Sequence, residues 1–341
     1  MIRLPRARGG LEAMPPPAAR QQQEPSHAVV PSKPRRFAPF HTRPGRSPRQ
    51  WCPRLLGPPG PRRCRRPQGT PGKDGVPTPV RLLDDKVGRW LPENRTRING
   101  MISSLGLASP TFDPKNRPVA VFDWAQTVGT TTGLTYHVQV YEEMVDLIET
   151  LQDNGFNVWV ATASPQFVID AVSEELTGIK PHRVIGIRNL TDAQVRVTAH
   201  FQGCGTVADG ADTLITYDQG KRCWINKLIF RQPAERQLTR QTDAHARQVF
   251  AAGDSDTDLA FVQDATHLKL AINRNKVQLM CNAYANHQGT WLVQPMFVQP
   301  RTQQTASYPC TTALDAAGQP ITDELGHRFS QNYADSVYAL P

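Results

Sequence analysis

The chain has 341 residues, 39 Lys+Arg against 30 Asp+Glu, and a formal net charge of +9. It holds no run of 18 apolar residues, so no membrane-spanning helix is expected. The positive charge is local: residues 1–78 carry 16 basic and 3 acidic residues, which leaves residues 79–341 mildly acidic. That acidic part offers no electrostatic reason to bind nucleic acid.

Residues 1–78 are rich in Pro, Arg, Gly and Gln. Such a segment cannot bury enough apolar surface to offset its chain entropy, and a disordered tail is expected. The run Pro61-Arg62-Arg63-Cys64-Arg65-Arg66 could touch nucleic acid or anionic lipid. A solvated tail, or a start codon set too far upstream, accounts for it as well. Met1-Ile2-Arg3-Leu4-Pro5-Arg6 lacks the apolar core of a secretory signal, and both cytoplasmic and exported placements fit the sequence.

Order is expected from about Val80, with short helices over Leu82–Leu91 and Thr96–Leu107 and Asn94 as the N-cap of the second. Arg117-Pro118-Val119-Ala120-Val121-Phe122-Asp123 then reads as a buried parallel strand that ends on a carboxylate. A polar loop, Gly129-Thr130-Thr131-Thr132-Gly133, follows. Met144, Leu147, Ile148 and Leu151 recur at helical spacing within Tyr141–Asn154, and Gly155 suits the C-terminal cap. Asn157–Ala161 gives a second strand that runs into Thr162-Ala163-Ser164-Pro165. Strand, helix and strand at this spacing make a βαβ unit.

Ser164-Pro165 is expected to cap and open a helix with an apolar stripe of Phe167, Val168, Ala171 and Val172, ended by Gly178. A strand over 183–188 leads to a small β insertion at about 189–219. A helix with Trp224, Ile225, Leu228 and Ile229 follows Gly220-Lys221. Residues 248–253 form a third motif strand that ends in Gly253-Asp254-Ser255-Asp256-Thr257-Asp258. A helix from Asp258 and a strand over 268–272 come next. Residues 296–341 are polar, and a loosely packed extension without chemistry is expected.

The fold class is therefore α/β: a Rossmann-like parallel sheet with helices on both faces, over residues 79–295. In such sheets ligands bind beyond the carboxyl ends of the strands. Asp123, Thr162, Asp254 and Asp258 would meet there in one crevice suited to phosphate. Asp123 can act as nucleophile and Thr162 as a donor to phosphate. Lys221 can neutralise it, with Lys227 as the alternative lysine. Mg²⁺ prefers hard oxygen ligands; Asp123, Asp254 and a backbone carbonyl near Ala125 would suffice, with Asp258 orienting the lysine or supporting the metal. Asp256 reads as a solvated turn carboxylate. Cys204, Cys223, Cys281 and Cys310 could pair in an oxidising compartment, but no C-x-x-C occurs, and unpaired thiols are the expectation.

The order V-F-D-x-x-x-T, V-A-T-A-S-P, G-K and G-D-S-D-T-D, over about residues 115–275, resembles the four motifs of the haloacid dehalogenase superfamily. The likeness is to its phosphoserine-phosphatase-like branch, including phosphorylcholine-phosphatase-like members. The resemblance implies a Mg²⁺-dependent phosphatase acting on a small phosphorylated substrate through an aspartyl-phosphate. By position it makes Asp123 the nucleophile, Thr162 the phosphate donor, Lys221 the motif lysine, and Asp254 a metal ligand supported by Asp258.

One position departs from the family pattern. Ala125 stands where the family usually has a second Asp as general acid and base, a group worth roughly 10²–10⁴-fold in rate. An impaired phosphatase is thus the first expectation and a catalytically inactive phosphate-binding relative the second. His137 is the nearest histidine that could replace the acid. Asp123-Trp124-Ala125-Gln126-Thr127 also resembles the first motif of phosphonoacetaldehyde hydrolases. Those enzymes need a cap lysine, and no lysine lies between Asp123 and Lys180. The gap from Asp123 to Thr162 is short for a helical cap, so the insertion at 189–219 is the expected substrate-facing element.

Overall fold

The computed structural model describes residues 79–341 except Val87, Trp124, Ala125 and residues 129–137. The expected tail 1–78, the Gly129–Gly133 loop, Ala125 and His137 lie outside the described residues. No helix among the described residues is long and apolar enough to cross a membrane.

The described elements run α1 (Pro92–Leu105), β1 (Val119–Phe122), β2 (Gln126–Val128), β3 (Val138–Val140), α2 (Glu142–Asp153), β4 (Asn157–Pro165), α3 (Gln166–Thr177), β5 (Val184–Ile187), β6 (Asn189–Thr191), β7 (Val197–Phe201), α4 (Gln219–Leu228), β8 (Phe250–Gly253), α5 (Leu259–Val262), β9 (Leu268–Asn273), α6 (Val277–Ala285) and β10 (Trp291–Pro295). Six strands form one sheet in the order β10-β9-β8-β1-β4-β5, and every neighbouring pair is parallel. This is the α/β, Rossmann-like architecture expected from the sequence.

Alternation along the strands divides the core into two layers. Phe122, Val158, Val160, Phe250 and Leu270 pack with α1, α2 and α3 on one face. Val121, Ala161, Ala251 and Ala271 pack with α4, α5 and α6 on the other. Successive side chains of a strand point to opposite faces, so strands buried on both sides read as continuous apolar runs. The chain winds outward from β1 through β4 to β5. It then returns to β8 on the opposite side of β1 and winds outward again to β10. Right-handed crossovers put the helices of the two halves on opposite faces. The reversal leaves a crevice at the carboxyl end of β1.

Several local expectations are corrected. Residues 82–91 form no helix, because Gly88 turns the chain at φ +79°. One helix instead starts at Pro92, a residue suited to the first helical position. Asn94 does not cap it: its side chain is buried and donates to the Val293 carbonyl and Gln294 Oε1. Strand β4 runs through Ser164 to Pro165, and α3 starts at Gln166 with no side-chain cap. The buried stripe of α3 is Ile169, Ser173 and Thr177, while Phe167, Val168 and Ala171 are exposed. Two hydroxyl residues on the inner face hid this stripe from a reading by hydropathy; Thr177 Oγ1 donates to the Ser173 carbonyl, which lets it be buried. The gap after Asp123 also holds more than a loop and a helix, since β2 and β3 pair as an antiparallel ribbon.

Within the insertion, β6 and β7 form a second two-stranded ribbon. Beyond β10 the extension is irregular, as expected, but it is well packed. Tyr308, Cys310, Ile321 and Phe329 are buried in the same apolar layer as α6. Lys269 of β9 pairs with Glu324 at 2.8 Å, and both side chains are almost fully buried. The low apolar content of the segment hides this, because it docks through a few large anchors.

The expectation of unpaired thiols is overturned. Cys204 in the insertion is bonded to Cys223 of α4, and Cys281 of α6 to Cys310 of the extension. The partners lie 19 and 29 residues apart in sequence, and only the tertiary fold brings their Cα atoms to 6.1 and 5.6 Å. Closing loops of this size removes unfolded-state entropy worth about 3 kcal/mol per bridge. Cys281→Ser with Cys310→Ser is therefore expected to lower stability by roughly 2–4 kcal/mol in urea titrations. An unchanged midpoint would contradict the packing of the extension.

Candidate functional site

Asp123 directly follows β1, and its N–H donates to the Ala252 carbonyl of β8 at 2.9 Å. This bond fixes the nucleophile candidate at the rim between β1 and β8. Asp254 follows β8 in the same way. The sequence Gly253–Asp258 then turns sharply. Ser255 accepts the Thr257 N–H through its side chain, while Asp258 reaches back to the Ser255 N–H at 3.0 Å, a capping box. Asp258 Oδ2 also accepts the Asp254 N–H at 3.0 Å. Gly253 is required here: a Cβ on it would lie 2.5 Å from the Cβ of Asp258.

Lys221 enters from the first turn of α4. Its Nζ lies 2.5 Å from Asp258 Oδ1 and 3.0 Å from Asp123 Oδ1, and its side chain is 1% exposed. The two elements are tied directly, since the Asp218 N–H at the start of α4 donates to the Thr257 carbonyl. Asp123, Asp254 and Asp258 each offer a carboxylate oxygen within 4.8 Å of the others. Asp258 already accepts Lys221 and two backbone N–H groups. It holds the turn and the lysine, while Asp123 and Asp254 flank the opening. A small opening of about 10 Å³ lies there, lined by both of these residues with Met144, Ala252, Gly253 and Ile272.

Burial, and next the Asp258 carboxylate, push the Asp123 carboxyl well above its ordinary range, against the pull of Lys221. Burial and Asp258 likewise raise Asp254 to about 6, with Arg274 opposing. Burial works against the Lys221 ammonium, but Asp123 and Asp258 outweigh it and raise its pKa above the usual lysine value. Three hard oxygen donors with surplus negative charge suit a hard divalent cation. The cluster could therefore hold a divalent metal ion.

Thr162 is buried near the end of β4, one strand across from Asp123. Its Oγ1 accepts the Ser164 N–H at 3.2 Å and lies 3.4 Å from Ser164 Oγ. Lys227 is not part of the cluster; it donates to the Gly203 carbonyl and lies over the Trp224 ring. Asp256 is not a solvated carboxylate: it accepts the Leu279 N–H of α6 at 2.8 Å and thus anchors that helix. Sequence reasoning missed Arg274, whose Nη1 donates to Asp254 Oδ2 at 2.9 Å. The available signal was its position just after β9, in the strand-end register that supplies Asp123 and Asp254.

Raised carboxyl pKa values mean that the folded protein holds more protons than the unfolded chain above pH 3.8. The contribution of Asp254 to stability is full below that value and is lost as pH climbs through about 6. A bound divalent cation should relieve the loss. At about 100-fold excess over its Kd, Mg²⁺ is expected to raise Tm by roughly 5–10 °C at pH 8 and by much less at pH 5. Equal shifts at both pH values would contradict the cluster. Gly253→Ala should displace Asp258 and cost about 1–3 kcal/mol in thermal or urea unfolding.

No protein-family model and no curated protein matches the chain. Among solved structures, it is similar to a conserved functionally unknown protein from Anaerococcus prevotii DSM 20548, at 23% identity and a TM-score of 0.35, over 47% of this chain and 38% of that one. It is also similar to a protein of unknown function from Bordetella pertussis Tohama I, at 17% identity and a TM-score of 0.32, over 46% and 59% of the two chains. The chain thus spans less than two thirds of either neighbour, and likenesses this weak carry no argument about fold or function.

Proposed function

We propose that the chain is a Mg²⁺-dependent phosphomonoester hydrolase of the haloacid dehalogenase type. The observation that carries this reading is Lys221 buried between Asp123 and Asp258, with Asp254 completing a carboxylate cluster at the strand reversal. Asp123 and Asp254 would hold the cation, with a backbone carbonyl near Ala125. Bound there, the cation would offset phosphate charge and so favour attack by an anion.

The residues of this chain then have distinct tasks. Lys221 keeps Asp123 oriented and draws its carboxyl toward the ionised form. A carboxylate oxygen of Asp123 attacks phosphorus, a phosphorus–oxygen bond forms, and the bond to the leaving oxygen breaks. Water then attacks the aspartyl-phosphate, and inorganic phosphate leaves with Asp123 regenerated. Thr162 is suited to donate to a phosphate oxygen after releasing Ser164. With Ala125 at the usual acid position, the leaving oxygen must take its proton from solvent. Hydrolysis of alkyl phosphates is accordingly slow, whereas aryl phosphates, whose leaving groups need little protonation, are better substrates.

The second reading, a phosphate-binding relative without turnover, draws on Ala125 and on the Arg274–Asp254 pair, which competes with a cation for one carboxylate oxygen. Phosphonate hydrolysis has no lysine between Asp123 and Lys180 to support it.

Steady-state assays on an aryl and an alkyl phosphate distinguish these readings. Wild type should turn over the aryl ester, and Asp123→Asn should abolish that activity. Ala125→Asp should accelerate the alkyl ester by about 10²–10⁴-fold. Turnover that survives Asp123→Asn would refute the hydrolase. Tight phosphate binding with no turnover of either ester would select the second reading.

A further inference from the structure

Arg274 stands in the loop that links β9 to α6, and its guanidinium meets Asp254 at the mouth of the carboxylate cluster. Its Nε is buried without a hydrogen-bond partner among the described residues. A guanidinium is a rigid fork that matches phosphate oxygens through several N–H donors, so an unused buried donor on the side chain that meets Asp254 points to an anion.

The backbone around Arg274 is held from outside the α/β core. Asn275 adopts a left-handed conformation at φ +60°, and its N–H donates to Asn273 Oδ1 at 3.0 Å. The buried Tyr308 hydroxyl lies 3.2 Å from Asn273 Oδ1 and 3.1 Å from Asn275 Oδ1, and shares its one proton between them. Asn273 Nδ2 in turn donates to Asp335 Oδ1 at 2.9 Å. Tyr308 and Asp335 both belong to the C-terminal extension, which the Cys281–Cys310 bridge fastens to α6 two residues after Tyr308. The extension thus grips the residues on both sides of Arg274.

Charge gives the same direction. With all groups ionised, three carboxylates against Lys221 and Arg274 leave the cluster one negative charge. A divalent cation turns this into one positive charge, which suits a phosphate dianion. Without Arg274 the loaded cluster would be neutral.

We infer that Arg274 is the second cation of the site and binds the phosphate group of the substrate, held in place by Tyr308 and the C-terminal extension. This rests on the proposed phosphate chemistry of the cluster. With a cation held by Asp254, Arg274 would give up its bond to Asp254 Oδ2 and offer its fork to the phosphate oxygens.

The test is calorimetry on the full chain, first with Mg²⁺ alone and then with inorganic phosphate at saturating Mg²⁺. Arg274→Ala is expected to weaken phosphate binding by about 10- to 100-fold, without weakening Mg²⁺ binding, because the competitor for Asp254 is gone. Arg274→Lys should restore part of the phosphate affinity, and it also serves if the alanine variant fails to fold. Tyr308→Phe should weaken phosphate binding in the same direction by less, with Mg²⁺ binding unchanged.

A wild type that binds Mg²⁺ but takes up no phosphate overturns both this inference and the proposed function. Wild-type phosphate affinity retained in Arg274→Ala overturns the inference alone, as does a parallel loss of Mg²⁺ affinity, which would make Arg274 a mere support of Asp254. Unchanged affinity in Tyr308→Phe removes the extension from the assignment.

Discussion

Three carboxylates, Asp254 and Asp258 buried and Asp123 partly so, repel one another within a few ångströms, and each has lost hydration. The interaction that makes such an arrangement possible is the Lys221 ammonium, which lies between Asp123 and Asp258 at 3.0 and 2.5 Å. Removing one partner of a buried charge pair leaves the other uncompensated and typically costs about 3–5 kcal/mol. The lysine is therefore a structural necessity of this site before it is anything chemical. It must also arrive from a helix that is not adjacent in sequence to either carboxylate. The Asp218–Thr257 backbone bond, the capping box at Ser255 and the close approach at Gly253 keep α4 and the turn after β8 in fixed relation.

Asp258 is satisfied three times over, whereas Asp123 and Asp254 carry the residual electrostatic strain as raised pKa values. Strain of this kind is relieved by a cation, and perturbed carboxyls in a crevice are a recurrent mark of functional sites. The sheet reversal supplies the crevice: β1 lies between β4 and β8, and the chain winds away from it in both directions. Topology thus selects which strand ends can share a ligand, and local turn chemistry selects the atoms offered to it.

The parts outside the sheet are joined to it at functional distance. The Cys204–Cys223 bridge ties the insertion to α4, two residues from Lys221. The Cys281–Cys310 bridge and the Lys269–Glu324 pair dock the extension on α6 and β9, next to Arg274. Each rim of the cluster is in this way braced by a segment with few apolar residues of its own.

The parallel sheet, the α2 stripe of Met144, Leu147, Ile148 and Leu151, and the strand-end carboxylates Asp123, Asp254 and Asp258 were legible in the sequence. Strand burial and helical periodicity are local patterns, and a charged residue that closes an apolar run advertises its own position. The α3 face was misread because two of its buried residues, Ser173 and Thr177, carry hydroxyls; Thr177 is buried through a local hydrogen bond to the Ser173 carbonyl that hydropathy does not register. Asn94, Asp256 and the four bridged cysteines were misread because their partners lie far along the chain. Arg274 escaped notice for the same reason: its meaning depends on Asp254, which follows the neighbouring strand. Sequence alone determined what each element buries and which groups stand at its ends. Tertiary structure decided which of those groups meet, because pairing between strands and docking of the extension depend on distances that no local pattern encodes.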